Sequence, residues 1–208
     1  ITARTTDELV ENLKETEYYA PLKKIKDTDN VTLYDYNLAL DLYYYTSTWK
    51  EQKKILKKSD LELFMRDRGS KIDLLNIQWI YRAKKYYNMK PADIYLMLIP
   101  IHYKLSTELV KDMVEAPGVE EFENVVIRTT YARHYNFKQN LTMEQMYADC
   151  LHHLYTADRR KNPYSVSAIN TYLFLKEEEL KKLTTVMECV RYGLNPGETA
   201  AYIGGRTR

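Results

Sequence analysis

Residues able to do chemistry are few in this chain, and their spacing does not gather them. His152 and His153 are adjacent, so on a helix they project about 100° apart and do not serve one metal easily. Cys150 and His153 stand at i, i+3 and make two ligands with no evident third. The run Glu177-Glu178-Glu179 offers carboxylates, but consecutive residues fan around a helix, and acid–base work needs two carboxyl groups facing one cleft. HExxH, the Walker glycine loop and GxSxG are all absent. With six glycines in 208 residues, nothing clusters to cradle a nucleotide. The sequence points to no catalytic residue, no cofactor and no metal site.

Polar side chains set among apolar ones are the better candidates. Asn76, Arg82, Lys84 and Lys85 share the stretch 71–93, KIDLLNIQWIYRAKKYYNMKPAD. Asn76 falls inside an apolar face, where it needs a hydrogen-bond partner. Arg82 and Lys84 are either contacts or bases snorkelling from an apolar surface. Residues 50–58, KEQKKILKK, form the densest basic run, suited to an acidic partner, anionic lipid, nucleic acid or plain solvation. Tyr is over-used, at twenty copies against four Phe and two Trp. Its ring packs like Phe while its hydroxyl seeks a partner, which suits interfaces and wet helix seams. In Tyr43-Tyr44-Tyr45 the three rings point three ways on a helix, so at least one meets a neighbour or water.

The elements that position these residues are helical. In 71–93, Ile72, Leu75, Trp79, Ile80, Ala83, Tyr86 and Tyr87 share one face, and Leu74, Ile77 and Tyr81 form a second strip. A helix apolar on two sides needs neighbours on both, so this is a bundle element. Helices are also expected over 5–19, closed by Pro21, over 32–58, 107–115 and 119–131, from Thr142 to Tyr155, and from Ser165 or Ser167 onward. The last carries the stripe Ile169, Leu173, Leu180, Leu183, Met187 and Val190. Gly69 is expected to end a helix begun at Ser59, residues 22–31 and 157–162 to be charged links, 134–141 a loop, and 204–208 a disordered tail.

The phrase of 71–93 returns in 178–198, EELKKLTTVMECVRYGLNPGE. Asp73 aligns with Glu179, Ile77 with Leu183, Tyr86 with Tyr192, and one inserted residue brings Pro91 onto Pro196. Upstream, Thr16-Glu17-Tyr18 echoes Thr129-Thr130-Tyr131. Two copies in the same internal order read as a duplication. The turn Ala116-Pro117-Gly118 divides a first helical repeat domain, 1–116, from a second, 117–208.

The order of these patterns also resembles a family. Asp73-Leu-Leu-Asn-Ile, Arg82-Ala-Lys84 and Pro91, then Asn162-Pro163-Tyr164-Ser165, Tyr172-Leu, Lys176-Glu177-Glu-Glu179, Leu183 and Gly193-Leu-Asn-Pro196, are similar to the AC39 family, the C-type subunit of V-type ATPases and its eukaryotic d-type counterpart. The opening Asp7-Glu-Leu, Leu13 and Thr16-Glu-Tyr18 fits as well. The chain departs from the family in carrying Lys181-Lys182-Leu183 where Arg-Asn-Leu is usual, and in showing two helical units where three are typical. The resemblance implies an all-α, curved, funnel-like array of tandem domains. It also implies a non-catalytic rotor subunit on the cytoplasmic face of the membrane, joining the central shaft to the proteolipid ring. Given that role, the Tyr excess and the basic bias mark Tyr43, Tyr44, Lys53, Lys54, Lys57, Lys58, Asn76, Arg82, Lys84 and Lys85 as partner-facing.

Composition sets limits that fit this reading. Hydrophobic content of 45% with 29% charged residues, six Gly and six Pro favours a globular helical chain. A net charge of +2 is too mild to argue for nucleic acid. A helical-repeat protein binding single strands or acting as an adaptor is the alternative. Two distant cysteines imply no disulfide framework, and no run approaches the length of a membrane span.

Overall fold

The computed structural model describes residues 3–26, 31–132, 142–161 and 163–203. These form ten helices and no strand: α1 (Thr6–Asn12), α2 (Tyr19–Lys26), α3 (Leu33–Ile55), α4 (Lys58–Lys85), α5 (Pro91–Met97), α6 (Thr107–Glu115), α7 (Val119–Val126), α8 (Met143–Lys161), α9 (Val166–Arg191) and α10 (Pro196–Tyr202). The all-α expectation holds across them. The expected loop 134–141 and tail 204–208 lie outside the described residues. By compactness the chain divides into 1–151 and 152–208, so α8 runs from one unit into the other. The duplication expected from the sequence would divide it at 116/117 instead. The helices flanking that point, α6 and α7, pack on each other within the first unit.

Helix starts follow local chemistry. Thr5, Ser106, Ser165 and Asn195 accept backbone N–H groups at the starts of α1, α6, α9 and α10, satisfying donors that have no partner inside the helix. Thr142 and Gln145 form a reciprocal box at the start of α8. Gly193 takes φ +71° just beyond α9, the left-handed turn that glycine adopts without penalty.

Several expectations need correcting. The helix expected over 5–19 ends at Asn12, and Pro21 does not close a helix; it sits in the first turn of α2, where its missing N–H costs nothing, and α2 runs through 22–26, where a charged link was expected. Residues 157–161 are not a link, because α8 continues to Lys161 and nothing bars it before Pro163. Gly69 does not stop a helix either, since α4 runs through it for 28 residues. A Cβ at Gly69 would stand 2.5 Å from Cγ of Tyr103. The glycine is there to let a ring lie against the helix.

In the first unit α4 is the spine. One side joins Ile72 to Ile99 and Ile101, with Leu42, Tyr45, Trp49, Leu75 and Trp79 packed around them. On another side Leu74, Ile77 and Tyr81 are buried, and α4 packs on α6 and α7, with Tyr81 6.0 Å from the Phe122 ring. The doubly apolar helix is thus filled on both sides. Tyr86 and Tyr87 are the exceptions, 60% and 72% exposed. They fall at and beyond the C-cap, where Asn88 at φ 47° turns the chain away.

In the second unit α9 buries Ser167, Thr171, Phe174 and Cys189. Phe174 stacks on Tyr155 at 4.6 Å, and the Thr171 hydroxyl donates to the Tyr155 carbonyl at 2.8 Å. Helix α10 packs against α9.

Candidate functional site

Three polar residues on α4 hold the segment that follows it. Asp73 is fully enclosed. Its Oδ1 accepts the Tyr103 N–H at 3.0 Å, and its Oδ2 accepts the N–H groups of Lys104 (2.7 Å) and Leu105 (3.2 Å) and the Tyr131 hydroxyl (2.8 Å). One turn on, Asn76 donates to the Ile99 carbonyl at 3.0 Å and accepts the Ile99 N–H at 2.9 Å. Near the end of α4, Lys84 donates to the carbonyls of Val114 (2.7 Å) and Ala116 (2.6 Å). A cation there satisfies the orphan carbonyls and the negative end of α6.

This arrangement is a clasp. Segment 98–105 is irregular, and its backbone groups lose water without gaining a ladder, so side chains must satisfy them. Burial pushes the Asp73 carboxyl above the ordinary range, against the pull of its bonds from Lys104, Tyr103 and Tyr131. The Tyr131 hydroxyl is raised by burial and by the Asp73 carboxylate, so it stays a donor. Desolvation lowers Lys84, offset by Glu115. Sequence reasoning used Asp73 for alignment and for the family resemblance and missed its role. The signal was present: an aspartate and an asparagine at i, i+3 inside an apolar helix face.

The other candidates sit elsewhere. Arg82 is exposed and reaches Glu144 at 3.4 Å, while Lys85 donates to the Tyr81 hydroxyl beside it. Tyr43 donates to Glu17 at 3.1 Å and meets Tyr18 edge-on. Tyr44 is half exposed, with the Arg68 guanidinium 5.0 Å from its ring. Lys53, Lys54, Lys57 and Lys58 are exposed at the α3–α4 corner; Lys54 pairs with Glu51 at 2.8 Å and Lys53 lies over Trp49. The fold therefore gathers Asn76 and Lys84 into the clasp and leaves the corner lysines, Tyr44, Arg82 and Lys85 facing water.

Between α3 and α4 lies an open cavity of about 660 Å³. Its walls include Leu38, Trp79, Met89 and Met97, with Asp41 and Arg82 as charged groups. Among the described residues no group of three His, Cys, Asp or Glu could hold a metal. Cys150 is buried whereas His152 and His153 are exposed.

Comparison with known proteins adds a lineage. The family model for the ATP synthase (C/AC39) subunit matches residues 1–202. The C-type subunit of the A-type ATP synthase from Methanosarcina mazei is 32% identical over 127 residues, covering 61% of this chain and 33% of that protein. Its namesake from Methanobrevibacter smithii is 26% identical over 201 residues, 92% of this chain and 52% of that protein. The chain thus spans between a third and about half of the length of these curated relatives. No solved structure matches it significantly.

Proposed function

Because the chain belongs to the ATP synthase (C/AC39) subunit family, we propose that it is a non-catalytic rotor subunit, seated between central shaft and proteolipid ring. The observation that carries this is the family match across nearly the whole chain. The geometry supports it physically. A coupling piece must transmit torque without yielding, and α4 is enclosed on two sides and clasped to its neighbours by Asp73, Asn76 and Lys84. Close-packed protein interiors deform little. Hydrolysis or synthesis would occur on other subunits, and this one would relay rotation.

The gripping surface, in this proposal, is the exposed part of the set: Tyr44, Lys53, Lys54, Lys57, Lys58, Arg82 and Lys85, with Tyr43 at its edge. Placement at the cytoplasmic face belongs to the same proposal, as do the division into repeats 1–116 and 117–208 and their curved array. Among the described residues no helix is long and apolar enough to cross a membrane, so contact with the bilayer would run through the ring. The test is co-expression with V-type or A-type shaft and ring subunits, followed by recovery in mild detergent. Recovery of both through this chain supports the coupler. Recovery of neither, with helical circular dichroism intact, overturns it. Replacing Lys53, Lys54, Lys57 and Lys58 by Ala is expected to weaken recovery of at least one partner, and unchanged recovery of both removes the lysine corner from the interface.

A further inference from the structure

We draw no further inference here: the strongest candidate, the stripe of exposed apolar side chains along α9 from Ile169 to Val190, carries none because nothing in the structure shows what covers it.

Discussion

On α4, Leu74, Ile77 and Tyr81 are at most 4% exposed, whereas their aligned counterparts on α9, Leu180, Leu183 and Met187, are at least 54% exposed. Along this stripe the apolar spacing is the same on both helices, although Ile72, Leu75 and Trp79 on the other face of α4 align with Glu178, Lys181 and Thr185; the polar residues differ as well. Asp73, Asn76 and Lys84 bind backbone groups of the segment that folds over α4. Their counterparts are Glu179, Lys182 and Val190. Glu179 is an exposed carboxylate paired with Lys176, Lys182 is exposed, and Val190 has no polar atom to give. A hydrophobic face invites any apolar cover, because its attraction is non-directional. Hydrogen bonds to named backbone groups select one cover and one register.

The contrast can be broken most sharply at the clasp. Asp73→Ala leaves three backbone N–H groups and the Tyr131 hydroxyl without their acceptor, and is expected to cost about 4 kcal/mol. Glu179→Ala should stay within about 0.5 kcal/mol. Urea denaturation of both variants checks this, and equal costs would remove the clasp from the account. Next comes the apolar pair. Leu74→Ala should destabilise by about 3 kcal/mol through lost burial and a residual cavity, while Leu180→Ala should lie within about 0.5 kcal/mol.

Gly69→Ala tests whether the close approach of Tyr103 matters. The added methyl meets Cβ and Cγ of Tyr103, which a rotamer change does not clear, so a cost of about 2 kcal/mol is expected. A stabilised variant would mean that the ring moves aside freely and that helix propensity dominates.

The smallest effect is a pH dependence. The folded pKa of Asp73 is raised by burial, so the folded state holds this proton more tightly than the unfolded chain does. Its contribution to stability is full below the unfolded value of about 4 and is lost as pH rises through the folded value. Relative to Asp73→Asn, the natural chain should therefore lose stability as pH rises above about 4. A difference that grows in the other direction would place a net stabilising charge at Asp73.

Much of the architecture was legible residue by residue. The capping sets at Thr5, Ser106, Thr142 and Asn195, and the turn at Gly193, are local chemistry within four or five residues, and the helices begin and end there. Other signals were misread because local rules have exceptions that distance decides. Gly69 reads as a stop until Tyr103, far along the chain, is seen to occupy the space of its missing side chain. Pro21 reads as a stop until the helix is seen to begin two residues before it. Of the partner-facing set, Asn76 and Lys84 were legible as polar residues needing something, but the partners they found were carbonyls and an N–H of the same chain.

The sequence by itself determined that this is a helical protein, where most of its helices begin, that α4 is apolar on two sides and that α9 carries an apolar stripe. These follow from periodicity and capping, which act over one or two turns. Only the tertiary structure decided which of those faces is filled. Burial depends on segments 20 to 60 residues distant, whose return is specified by a few buried hydrogen bonds such as those of Asp73 and Asn76. Apolar spacing carries no record of them.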